Sequence, residues 1–256
     1  MAMAPRNEEE SRIYGMKRGL DFIADRQNTI TEENLHQLYQ ISTGDYLPDE
    51  DRLLPDHFYR HDVVYVVDGE ESREGLPAQQ LPDAMKRLVD FANAKDGINE
   101  LHKAAILHFA FAYYHPYFDG NGRTARLLHL WYLVQQGYPA ALFTPFSRYI
   151  AESKAAYYKA YDRVEKNALI SGYTDVTPFL SYFCNEVYNR LQVDAAPPQA
   201  DLQVYQTALA EGKITEKGTL ALGSMFCLPT EQRSSLPKQL EKDFRNAAYA
   251  TIRTFV

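Results

Sequence analysis

The run His-Pro-Tyr-Phe-Asp-Gly-Asn-Gly-Arg-Thr-Ala-Arg at 115–126 gathers the groups most able to do chemistry. Gly120-Asn121-Gly122 reads as the opening of a helix. The first amides of a helix are unpaired and carry partial positive charge, so they bind phosphate. Glycines let that backbone approach an anion closely. Arg123 and Arg126 are three residues apart, which places both on one side of the first helical turn. Their guanidinium forks match phosphate oxygens. Asp119 is the lone carboxylate of the run, and one carboxylate with phosphate oxygens is the usual magnesium arrangement. His115 titrates near neutrality and can take a proton from an attacking hydroxyl. An anion cradle, a metal ligand, two cations and a base describe phosphoryl or nucleotidyl transfer. Metal-centred hydrolysis would want more ligands.

These groups need a scaffold on both sides. Residues 101–114 form a strongly apolar stretch, predicted as a helix buried nearly all round at a domain centre. Pro116 and the glycines break it, and Thr124 to Gln136 is predicted as a second apolar helix capped by Gly137. Residues 1–40 read as helix, with Thr31-Glu32-Glu33 suited to a helix start and Leu35, Leu38 and Tyr39 following on one face, and 41–57 read as loop. The β-branched and aromatic stretch Tyr59 to Val67, closed by Asp68-Gly69, predicts one arm of a hairpin. Helical spacing resumes from Leu81 to Ala94, and again over 151–166 and 176–192. Paired prolines in 193–200 mark a linker, and 201–256 reads as two short helices about a tight turn.

The run at 115–126 resembles the signature of the Fic family, H-P-F-x-[D/E]-G-N-G-R-x-x-R, with Tyr117 in place of phenylalanine. The likeness extends over about 11–192 and includes the hairpin, G-L-P at 75–77 and D-V-T-P-F at 175–179. It implies a mainly α fold, a Fic-type helical bundle with a small β-hairpin flap, here followed by a helix-turn-helix or partial winged-helix segment. The implied division is a Fic domain over 1–192 with its core at 60–190, a linker at 193–200, and a winged-helix-like segment at 201–256. The implied activity is transfer of AMP from Mg-ATP to a Ser, Thr or Tyr hydroxyl of a protein, self-modification included. By the resemblance, His115 is the general base and Asp119 holds Mg²⁺. Gly120, Asn121 and Gly122 line the anion hole, Arg123 contacts the β-phosphate, and Arg126 holds the γ-phosphate and orients ATP. The hairpin near Val63–Val67 would pin the protein target, and family members often form homodimers. Because Asp119-Gly120-Asn121-Gly122 is present, the chain departs from the Doc-like branch, which phosphorylates its target.

Two alternatives stay open on this sequence. The same loop suits removal of AMP, or transfer of another nucleotide or of phosphocholine. A different class of reading is a DNA-binding regulator with a nucleotide-sensing Fic domain, in which Lys238, Lys242, Arg245 and Arg253 meet phosphates. Many Fic proteins carry an inhibitory [S/T]-x-x-x-E-[G/N] helix. Thr29 to Asn34 fits that pattern with Glu33, whereas Ser11-Arg12-Ile13-Tyr14-Gly15 stands nearer the expected place with Tyr14 where glutamate belongs. The expectation is an enzyme without a competent inhibitory glutamate. His108 and His129 read as packing or capping the central helices, and Tyr157, Tyr158 and Tyr161 as core and rim, one of them bordering adenine.

Composition narrows the field further. The formal net charge of -7 over 256 residues argues against non-specific binding of nucleic acid by the whole surface. Two distant cysteines, Cys184 and Cys227, fit neither a disulfide framework nor a zinc pattern, so a cytoplasmic location is expected. No secretory h-region and no run of about 18 apolar residues is present, so no membrane span is expected.

Overall fold

The computed structural model describes residue 5 and residues 7–43, 47–68 and 71–190. The predicted linker at 193–200 and the segment 201–256 lie outside the described residues. The chain divides into two compact units, one within Met1–Tyr138 and Lys154–Ser181, the other within Pro139–Ser153 and Tyr182–Val256.

The first unit is helical with one hairpin. Helix α1 spans Glu8–Ala24 and starts at Asn7, whose side chain accepts from the Glu10 amide at 2.8 Å. Helix α2, Glu32–Thr43, is capped by the Thr31 hydroxyl, which accepts from Asn34 N at 3.1 Å. The helix start expected at Thr31-Glu32-Glu33 is thus the start of α2, and a separate helix, α1, precedes it. Asp25 accepts from Gln27 N, and the Asn28 amide donates to Phe22 O at 2.8 Å. These local bonds offer the backbone an alternative to the helix.

Strands β1, Tyr65–Asp68, and β2, Glu71–Glu74, form an antiparallel hairpin with Tyr65 opposite Glu74. The strand expected from Tyr59 starts only at Tyr65, because the Arg60 amide is spent on Pro116 O, far along the chain, at 2.9 Å. Helix α3 runs Leu81–Asn93, α4 runs Glu100–Tyr114 and α5 runs Asn121–Gln135. Helix α5 thus starts three residues earlier than its apolar pattern suggests, inside the glycine-containing run.

Helices α4 and α5 pack on each other at the centre, with α1, α2 and α3 against them. Ala104, Ala105, Leu107, Phe109 and Phe111 of α4 and Leu127, Leu128 and Trp131 of α5 are buried. The Trp131 indole donates to Asn28 O at 3.1 Å and meets Phe22 edge-on. Helix α7, Lys154–Ser171, brings Tyr161 flat against Phe109, with ring centroids 4.9 Å apart. Helix α8 covers Thr177–Tyr182.

In the second unit α6, Phe146–Glu152, packs on the π-helical turn Phe183–Tyr188. Arg190 pairs with Glu152 there at 2.9 Å. Neither α6 nor this widened turn was visible in the residue pattern. Among the described residues no helix is long and apolar enough to cross a membrane.

Candidate active site

His115 is the residue at which α4 stops. It takes a left-handed backbone, φ 53 and ψ 61, a conformation that non-glycine residues rarely hold unless their surroundings enforce it. Its Nδ1 lies 3.3 Å from Ala112 O, so that nitrogen carries the proton and Nε2 is left with a lone pair. Burial pushes the imidazole down to about 4, with Arg73 and Arg60 adding to the shift and the Ala112 bond and Asp119 opposing it. At neutral pH His115 is an uncharged base.

The residues after it are shaped by Asn121. Its amide accepts from Tyr117 N at 2.9 Å and donates to Tyr117 O at 2.7 Å. The side chain is thus spent on the loop, and only the Asn121 main-chain N–H is left for an anion. Tyr117 is fully buried and stacks on Tyr39 with ring centroids 3.6 Å apart.

Gly120 precedes α5 with φ 81, and no side chain caps the helix. A Cβ at Gly120 would collide with the Thr43 side chain, so only glycine lets the chain turn here. The first intrahelical bond is Thr124 N to Gly120 O. The amides of Asn121, Gly122 and Arg123 are therefore the uncapped positive end of α5.

The two signature arginines have different partners. Arg123 donates to Asp119 Oδ2 at 2.8 Å and to Ser42 O at 3.4 Å. Arg126 has no hydrogen bond or ion pair among the described residues, and its Nε is buried without an acceptor. Burial lowers its pKa, the Arg123 charge adds to this, and Tyr157 and Tyr158 oppose it. Behind it Tyr157 OH lies 3.0 Å from His108 Nε2 and 3.3 Å from Tyr161 OH. His108 and His129 are buried and held neutral, mainly by burial, His129 at about 3. They are core histidines, as their positions suggested.

Asp119 is roughly half exposed (47%). No group of three His, Cys, Asp or Glu able to hold a metal exists among the described residues. The site fits a cation carried mainly by phosphate oxygens, with Asp119 as the single protein carboxylate, and does not fit a protein-built cage.

A shallow cleft beside Asp119 and Arg123 is walled by Ser11, Arg12, Gly15 and Arg18 of α1. Glu33 lies elsewhere: it is exposed, and its own backbone and the Thr31 side chain, both at the start of α2, draw its pKa down. Glu32 accepts from Tyr59 OH at 2.6 Å. Neither glutamate is paired with a signature arginine.

Residues 29–133 match the sequence profile of the Fic/DOC family. That stretch is similar to a Fic domain. The protein adenylyltransferase fic-1 of Caenorhabditis elegans is 30% identical over 102 residues, 39% of this chain and 18% of that protein. The protein of the same name from Caenorhabditis briggsae is 25% identical over 181 residues, 68% of this chain and 31% of that one. The matches span less than a third of the length of these curated relatives. The crystal structure of a Fic family protein from Desulfovibrio desulfuricans G20 shares the fold, with a TM-score of 0.56 at 18% identity over 95% of this chain and 70% of that one. The mainly helical bundle with a small hairpin is thus a Fic fold.

The Fic signature contains His115, Asp119 and both arginines, but it does not contain the residues that grip the helix before it. Arg60 is buried, only 2% exposed, and donates to His115 O at 2.7 Å. Arg73 donates to Tyr113 O at 3.0 Å and to Ala112 O at 3.3 Å. The available signal was weak: a lone arginine at each flank of a β-branched stretch.

Proposed function

We propose that this chain is an adenylyltransferase that moves AMP from ATP to a hydroxyl of a protein. The observation that carries this reading is Arg126, a largely buried cation without a counter-ion among the described residues, beside the uncapped start of α5. A buried guanidinium demands an anion. A polyphosphate would supply one to Arg126 and accept from the Gly122 and Arg123 amides together. The relatives' name, protein adenylyltransferase, supports the same assignment.

In this mechanism the neutral His115 takes the proton of the target hydroxyl on Nε2. The hydroxyl oxygen attacks the α-phosphorus, the bond from the α-phosphorus to its bridging oxygen breaks, and pyrophosphate leaves. Arg126 and the α5 amides receive the charge that builds on the departing group. Mg²⁺, held by Asp119 and phosphate oxygens, would neutralise that charge further. Arg123 holds Asp119 in place and contacts the β-phosphate. Tyr158, partly exposed beside Arg126, borders the adenine, since the Tyr157 and Tyr161 hydroxyls are committed to each other and to His108. The hairpin formed by Tyr65–Asp68 and Glu71–Glu74 receives the target segment.

Intact-mass measurement after incubation with ATP and Mg²⁺, with and without an added pool of candidate protein targets, tests this directly. Wild type should leave one AMP on itself or on a target, and His115→Ala should leave none. Equal transfer by His115→Ala would remove the general-base role, and loss of AMP from a pre-modified target would reverse the direction of the reaction.

A further inference from the structure

The C-terminus of α4 presents main-chain carbonyls that no helical amide can reach. Helices commonly end on a glycine. Here the hairpin supplies two arginines instead. Arg73, on β2, takes Ala112 O and Tyr113 O, with its guanidinium 4.5 Å over the Tyr113 ring. Its Nε also lies 3.0 Å from a Glu165 oxygen, an ion pair without hydrogen-bond alignment. Arg60, just before β1, takes His115 O at 2.7 Å and Tyr114 O at 3.5 Å. Its other donors go to Asp62 O and Leu76 O, the carbonyls on either side of the hairpin.

One buried guanidinium therefore joins three pieces of chain: the entry to the hairpin, its exit, and the left-handed residue His115. The main chain repeats the tie, with Arg60 N to Pro116 O at 2.9 Å and Leu76 N to Tyr114 O at 3.3 Å. Gly75 is required at this junction, because a Cβ there would press on Arg60 Nη2 and Val64 at 2.9 Å and on His115 at 3.4 Å. Ala112 O is shared by Arg73 and His115 Nδ1, so the same clamp orients the imidazole.

We infer that Arg60, assisted by Arg73, is the positioning residue that locks the hairpin to the end of α4 and sets the backbone and ring of His115 for proton abstraction. Lysine cannot replace it, because an ammonium is a point donor on a flexible stem and cannot span four carbonyls in one plane. The inference rests on His115 acting as the base, and it makes the surface that receives the target and the group that activates it one mechanical part.

The test is Arg60→Lys and Arg60→Ala in the full chain, beside wild type. AMP transfer should fall about 100-fold in kcat for Arg60→Lys, with KM for ATP changed less than about threefold, as expected of a misplaced reacting group. Added methylguanidinium should restore at least about tenfold of that loss in Arg60→Ala, since it refills the same cavity. Independently of activity, ¹⁵N spectra of the histidine ring should show His115 protonated on Nδ1 in wild type and a mixture of tautomers in Arg60→Lys. Thermal melting separates unfolding from misplacement: a kcat loss that merely follows the unfolded fraction overturns the inference. So does wild-type kcat in Arg60→Lys, or an unchanged His115 ring signal. If wild type transfers no AMP at all, the adenylyltransferase reading fails while the ring spectra still decide whether Arg60 sets His115.

Discussion

Residues 115–120 are all that separate the end of α4 from the start of α5, and the two termini are finished in opposite ways. At the end of α4, Arg60 and Arg73 satisfy the carbonyls of Ala112, Tyr113, Tyr114 and His115. At the start of α5 no side chain among the described residues caps the amides or offers Arg126 an acceptor. Both ends use arginine. Where the arginine's hydrogen bonds are made within the chain, it builds the site. Where they are left unmade, it marks the place of a ligand, because a protein gains nothing from burying a bare cation. The contrast also divides the signature itself: Asn121 and Arg123 have internal partners, and Arg126 has none among the described residues.

The sharpest test of the contrast is Arg126→Ala. Losing charge-assisted bonds worth about 1.5–3 kcal/mol should weaken ATP binding about 10- to 100-fold. Calorimetric titration with ATP would show it, and an unchanged Kd would mean that the empty guanidinium awaits something else. Gly120→Ala comes next. With φ 81 and Thr43 in the way, it should cost about 1–3 kcal/mol of stability in urea unfolding. Gly137→Ala, with φ 90 and open space around it, isolates the backbone part, about 1–2 kcal/mol. Equal losses at the two glycines would remove the claim that the loop is built tightly against α2. The smallest effect belongs to Glu33→Gly. Glu33 is exposed and tied to the start of α2, so self-modification should stay within about twofold of wild type. A sharp rise would identify Glu33 as a brake reaching the open terminus.

The sequence announced the open terminus far better than the closed one. A glycine pair, an arginine three residues on and a histidine before them are local, and their chemistry is written in residue types. The role of Arg60 depends on a partner 55 residues away and on burial. Asn121 was legible as part of the cradle, but its side-chain bonds to Tyr117 depend on the loop's path. The hairpin was seen but drawn too long, since strand propensity at 59–64 yields to the pull of α4. The start of α2 was legible at Thr31-Glu32-Glu33, whereas the end of α1 was not, because it rests on the turn bonds of Asp25 to Asn28.

Trp131 offers a practical consequence. It is the sole tryptophan of the 256 residues, and it lies fully buried in the unit that holds the site. Its emission therefore reports on that unit alone: the packing of α5 on α1 sets its colour, and unfolding elsewhere in the chain adds no tryptophan signal of its own. Every variant of the signature or of the arginine clamp can be checked for a blue, native spectrum in the same cuvette in which its turnover is followed, with no label attached.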